Sequence, residues 1–336
     1  MAENLLLEKW SGIDSAELMI LLRDRVGGPG QYDSALAPEK FFLPLARSKG
    51  QIALAYAKGV IVRIEPGAAF DASKWESISK EIESEILGGA LKRGRDFSFS
   101  SRRVLGGWHG ATSGVQILPA PESAPRATVE MADHPFVLEF PLRAGNYWPV
   151  IHHRRVLEHR KLTLVLNVLL RGHISYQLQR AEHLWARVGS GAIEWVQRFF
   201  WADLGETVTD HATPLPDERI PEIDPVKYYE HPGGAGNQFS VPTNLDESIA
   251  LYQALDKKRR EKFERAAYWL DMASRQWWLS TSSSFACLVS AIEALVEPDS
   301  SHATICEQCK ETLHHHVPGQ PNDSGLFLRL SLPMDP

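Results

Sequence analysis

The residues best suited to chemistry sit near the end of the 336-residue chain: Cys306-Glu307-Gln308-Cys309, then His314-His315-His316. Two thiolates two residues apart can point inward from one turn and chelate zinc. A closed structural site takes four ligands, and one or two of the histidines supply the rest; Cys306, Cys309, His314 and His316 form the candidate set. The plainer reading is an incidental pair, or half of a site. Redox catalysis is disfavoured, because no strand-then-helix context of thioredoxin type surrounds the pair.

Two further groups carry charge. Ile151 to Arg187 holds Arg154, Arg155, Arg160, Lys161, Arg171, Arg180 and Arg187 against Glu158 and Glu182, with histidines at 152, 153, 159 and 173 among those in the stretch. Such a stretch could hold phosphates, although a solvated helix face is the simpler reading. Glu293, in Ala291-Ile292-Glu293-Ala294-Leu295, flanks an apolar helical stripe beside Val289, where a carboxylate can pair an arginine from a neighbouring helix. No G-x-S-x-G, P-loop, G-x-G-x-x-G or H-E-x-x-H is present.

These groups need elements to position them. Leu18, Ile20, Leu21, Leu22 and Val26 predict a helix over 14–26, with Asp14 or Ser15 as cap and the Gly27-Gly28-Pro29-Gly30 run as its end. Residues 51–65 are β-branched and punctuated by Gly59, so a strand pair or one bent strand is expected. Trp75, Ile78, Ile82 and Ile86 recur at helical spacing over 73–87. Strands are expected at 97–104, 114–118, 127–131 and 136–142. One long helix follows over 147–170, open to a break near Lys161, and 173–177 and 192–201 are candidate strands.

Between Asp203 and Asn244 six prolines and Gly233-Gly234-Ala235-Gly236 erase any period, which reads as a linker or long surface loop. Beyond it the chain turns helical. Residues 245–255 suit a short helix. Phe263, Ala266, Ala267, Leu270, Ala273 and Trp277 share a face over 257–278, and Phe285, Leu288, Val289, Ile292, Leu295 and Val296 share one over 280–297. The short link between them implies antiparallel packing. The organisation is therefore an α+β domain over 1–202, a Pro/Gly-rich segment over 203–244, a helical segment with the Cys-x-x-Cys over 245–312, and an irregular tail over 313–336.

Composition bounds the class. Hydrophobic residues make up 43% and charged residues 23%, values of a globular chain, and the net charge of −6 argues against retention on nucleic acid by bulk charge alone. The longest strongly apolar run, Leu162 to Leu170, is far short of the ~20 residues that span a bilayer. The first residues lack a basic region and carry only three successive leucines, so no signal peptide is read there. Three cysteines suit a reducing compartment, and a soluble, cytoplasmic protein is expected.

Arg265-Ala266-Ala267-Tyr268-Trp269-Leu270, then Ser282-Ser283-Ser284-Phe285 through Ser290-Ala291-Ile292-Glu293-Ala294-Leu295, resembles the first two helices of the Apea-like branch of HEPN domains. A Cys-x-x-Cys shortly after the second helix also occurs in proteins of that kind, where Cys306 and Cys309 sit. The resemblance covers residues 257–312. It implies RNA handling, often by a metal-independent ribonuclease whose later helix opens with Arg-x4-His. There the histidine serves as acid or base at the 2′-hydroxyl, the arginine holds the phosphate, and a homodimer through the helices joins two copies. Glu293 maps as a support for that arginine. No Arg-x4-His follows Cys309 here. The string at Arg154 to His159 lies upstream of the matched segment and takes no role from it. The expectation is an incomplete HEPN-like segment, with the aperiodic tail reading as truncation or frameshift. The rival is a non-catalytic interaction protein that dimerises through the helical hairpin, with a small zinc clip.

Overall fold

Asp14 starts the first described helix. Its carboxylate accepts from the backbone N–H of Ala16 at 2.7 Å and of Glu17 at 3.2 Å, relieving two of the donors a helix leaves free. Helix α1 (Ser15–Val26) ends at Gly27, whose φ of +83° lies in the region glycine tolerates best. The computed structural model describes residues 5–6, 13–27, 31–32, 40–43, 52–57, 60–67, 70–121, 134–170, 174–175, 186–188, 194–196, 204–230, 239–277, 279–296, 304–305 and 312–313.

The first sheet is antiparallel. It comprises β1 (Leu5–Leu6), β2 (Gln31–Tyr32), β3 (Lys40–Leu43), β4 (Ile52–Ala57) and β5 (Val60–Pro66), in the order β1-β5-β4-β3-β2. The expected strand pair over 51–65 is β4 and β5. Val62 is the extra residue where the β4–β5 register shifts, so Ile61 and Ile64, three apart, both turn inward while Val60 and Val62 stay exposed. Leu18, Leu21 and Leu22 of α1 close over this face with Ile78 of α2 (Ala72–Glu81). A π turn (Ile82–Leu87) continues α2 and adds Ile82 and Ile86 to the same core.

The second sheet is built on two long strands. It contains β6 (Ala90–Ser100), β7 (Trp108–His109), β8 (Gln116–Pro119), β9 (His134–Ala144) and β10 (Ile174–Ser175), in the order β10-β6-β9-β8-β7. A separate pair, β11 (Ala186–Val188) and β12 (Glu194–Val196), is antiparallel, and β13 (Val208–Thr209) joins the free edge of β6. The expected strand at 127–131 lies outside the described residues. Helix α3 (Trp148–Leu169) is one unbroken helix through Lys161, and it lies on the sheet face that carries Leu138 and Phe140.

Residues 203–244 depart from the expected linker. Their described part contributes Ile220, Tyr228, Phe239 and Val241 to the main core, beside Leu162 and Leu166 of α3. It also forms α4 (Pro225–Glu230) and a parallel pair, β14 (Glu222–Ile223) with β15 (Val241–Pro242). Isolated apolar residues between prolines leave no period, yet each fills a place in the core. Helices α5 (Leu245–Ala254), α6 (Lys257–Gln276) and α7 (Thr281–Leu295) follow, and a last antiparallel pair joins β16 (Thr304–Ile305) to β17 (Thr312–Leu313). The chain is thus α+β, β-rich in its N-terminal part with helices later. Among the described residues no helix is long and apolar enough to cross a membrane.

Two buried polar contacts join these layers. Arg154 of α3 forks onto Glu17 of α1, Nε to Oε1 at 2.8 Å and Nη2 to Oε2 at 2.7 Å, and also donates to the carbonyls of Ile86 and Arg143. Asn167 of α3 donates to Asp271 of α6 at 3.0 Å, and Arg275 holds the other Asp271 oxygen at 2.8 Å. Removing one member of a buried pair strands the other's charge. Arg154→Met should therefore cost about 3–5 kcal/mol in urea unfolding, and adding Glu17→Met should recover a large part of that loss.

Candidate functional site

Side chains cap both helices of the C-terminal hairpin. Asp256 accepts from Arg259 N–H at 2.9 Å to open α6, and Ser280 Oγ accepts from Ser283 N–H at 3.2 Å to open α7. The two helices pack antiparallel, as their short link requires, and Ser284 Oγ donates to the Ala273 carbonyl at 2.9 Å.

The face that α7 turns inward differs from its apolar stripe. Ser284 and Ala291 are buried and Cys287 is half-buried, opposite Ala266, Ala267 and Ala273 of α6. Small residues on both sides let the helices approach closely. The large apolar residues consequently point away: Phe285 is 53% exposed, Ile292 64% and Leu295 54%, with Leu288 and Val296 beside them. Trp277 and Leu279 continue this surface at the hairpin's turn. Trp278 lies outside the described residues.

Glu293 stands on α7 next to this surface. It is exposed and takes no ion pair or hydrogen bond among the described residues. Cys306, Cys309, His314 and His316 lie outside the described residues. The strands on either side of the cysteine pair are β16 and β17, registered Ile305 opposite Thr312 and Thr304 opposite Leu313.

Much of the basic stretch on α3 is interior. Arg154 belongs to the Glu17 pair, so the arginine of the Arg154–His159 string is occupied and buried. His159 faces β6, where its Nε2 meets Ser98 Oγ at 2.8 Å. Phe140 stacks on the imidazole, and Thr163 Oγ1 donates to the His159 carbonyl at 2.8 Å. Arg155 Nη1 donates to Asp96. Burial pushes the His159 imidazole down to about 4, against the pull of Asp96 and with the push of Arg155.

Serine, histidine and aspartate thus meet at one place, but as a structural node. Ser98 and His159 are buried, and Asp96 Oδ2 stands 3.9 Å from His159 Nδ1, beyond hydrogen-bond reach. The aspartate is committed to Arg155 instead. Nothing local in the sequence marks this node, because its members lie some sixty residues apart and meet only through the packing of α3 on β6. Among the described residues no group of three or more His, Cys, Asp or Glu is arranged to hold a metal ion.

Comparison with family models, with curated proteins and with solved structures returns no match.

The node makes a pH prediction. The fold accepts His159 neutral, while the unfolded chain takes up a proton near 6.5 and the folded one only near 4. The unfolded state binds more protons in that window, so stability falls as pH drops from about 6.5 to 4 and this contribution levels off below it. The loss should be on the order of 3 kcal/mol. Urea midpoints across that range will show it as a slope that His159→Asn removes.

Proposed function

We propose that this chain is a non-catalytic interaction protein that self-associates through α7. The observation that carries this reading is the outward apolar face of that helix. Phe285, Leu288, Ile292 and Leu295 are spaced three, four and three residues apart, the a/d spacing of a coiled-coil seam. That spacing reads the same in both directions. A second copy docked antiparallel about a two-fold axis sets Phe285 against Leu295 and Leu288 against Ile292 in both halves. Glu293 is the one charged residue in α7 and lies beside the seam, so the two-fold mate brings no like charges to the centre. A face this apolar and contiguous is characteristic of a binding surface.

Zinc is part of the same reading. The thiolate and imidazole types of Cys306, Cys309, His314 and His316 suit a closed structural site that would brace the end of the helical segment. Binding of one zinc per chain, followed by competition with a chromogenic chelator, should be lost in Cys306→Ser/Cys309→Ser.

A second reading keeps the RNA kinship. It is supported by the antiparallel pairing of α6 and α7, the arrangement that resemblance to HEPN helices implies, and by Glu293 standing open on α7. On that reading the chain binds RNA without cutting it, since no Arg-x4-His follows Cys309. RNA affinity that falls steeply with salt would favour it over self-association alone.

Sedimentation equilibrium tests the first reading. The wild-type chain should be a dimer at micromolar concentration, and Leu288→Glu/Ile292→Glu should be a monomer with unchanged helical circular dichroism. A monomeric wild-type chain, or a dimer untouched by the double substitution, would sink the proposal.

A further inference from the structure

Strand β6 presents a second polar group on the sheet face away from α3. Arg93 and Arg95 share that face with Phe97 and Phe99, because alternate residues of a strand point the same way. Cross-strand register sets Glu139 of β9 opposite Arg95, and Gln116 of β8 opposite Glu139. On the other side β13 sets Thr209 opposite Arg93, and Arg95 N–H donates to the Thr207 carbonyl at 2.8 Å. Val208, between the two threonines, packs toward Leu142 and Ile151 on the α3 side. Thr207 and Thr209 therefore share the face of the two arginines.

The charges here do not balance. Glu139 is fully buried and already accepts from Thr213, from its N–H at 3.2 and 3.3 Å and from its Oγ1 at 2.6 Å. Arg93 Nε adds a bond at 3.1 Å, while Arg95 Nε stays at 3.5 Å as an ion pair. One nearly saturated carboxylate thus faces two guanidiniums with five donors each. Arg93 Nη2 and Arg95 Nε have no hydrogen-bond partner among the described residues, although both are buried. The side chains as a whole remain 15% and 19% exposed, so an ion from solvent meets other parts of each side chain while these two nitrogens lie just beneath the surface. Asp210, the residue after β13, is drawn to Lys92 at 3.2 Å.

We propose that Arg93 and Arg95, with Thr207, form a binding site for a phosphate group. The two arginines leave the strand about 7 Å apart, so one phosphate can take an oxygen to each guanidinium. The Thr207 hydroxyl supplies a neutral donor at its rim, whereas the Thr209 hydroxyl is spent on the His211 carbonyl at 2.9 Å. Glu139 fixes the arginines from below and keeps the site from carrying a full double charge. The sheet edge holds these three residues in register, which reduces the ordering cost of binding. This site is separate from α7 and independent of self-association.

Isothermal titration at low ionic strength, with inorganic phosphate and with adenosine monophosphate as probes, tests the proposal. Both should bind, and Arg95→Gln should weaken binding about tenfold or more, as loss of a charge-assisted hydrogen bond does. Thr207→Val, which keeps the strand, should weaken it less. Equal affinity for the two probes assigns the site to the phosphate alone; tighter adenosine monophosphate assigns it to a nucleotide. Lys80→Gln, an exposed charge removed on α2, should change nothing. The proposal fails if neither probe binds, if Arg95→Gln with native circular dichroism and melting temperature binds like wild type, or if Lys80→Gln weakens binding as much.

Discussion

The buried pair of Arg154 and Glu17 is the contact on which the two sheets depend. A guanidinium in the interior must spend its donors, and Arg154 spends them on α1, on the π turn and on β9 at once. The π turn is shaped for this. Its Ile86 carbonyl accepts from Arg154, and its Glu85 carboxylate accepts from the N–H of Tyr147 at 2.9 Å and of Asn146. Helix α3 has no side-chain cap of its own at Tyr147, so a residue from the first sheet's layer caps a helix of the second. Arg25 of α1 also lies over the Tyr147 ring, 4.8 Å from its centre. Neither layer is complete alone, and their unfolding should be coupled.

Strand β6 divides its polar residues between two environments. On the α3 side Asp96 and Ser98 are closed in by Arg155 and His159, and the result is rigidity. On the other side Arg93 and Arg95 surround one carboxylate and remain partly open to water. The same strand therefore carries a satisfied network and an electrostatically unfinished one, and burial decides which is which.

Helices were the most legible part of the sequence. Asp14 caps α1 as its type and position suggest, and the apolar spacing of α1, α2 and α6 carries through; the caps at Asp71, Asp256 and Ser280 came from the structure. Three things were not legible. The proline-rich stretch gave no period, yet Ile220, Phe239 and Val241 each reach the core singly. The stripe on α7 read as a packing face, but α6 meets α7 through alanines and Ser284, so the stripe faces outward. Glu293 was placed beside that stripe by the helical wheel, as found. Asp96, Ser98 and the arginines of β6 gave no local signal, because only cross-strand register and the position of α3 bring their partners to them.

Strand order in the second sheet also bears on synthesis. Gly94 of β6 pairs with Val208 of β13, and Ser100 pairs with Ile174 of β10, so the outer edge of β6 is closed by residues made much later. At about 5–20 residues per second, that edge stays unpaired for on the order of ten seconds on the ribosome. An open edge next to Phe97 and Phe99 invites pairing with a neighbouring nascent chain. Arg93 and Arg95, which repel an identical strand, guard the nascent edge through that interval.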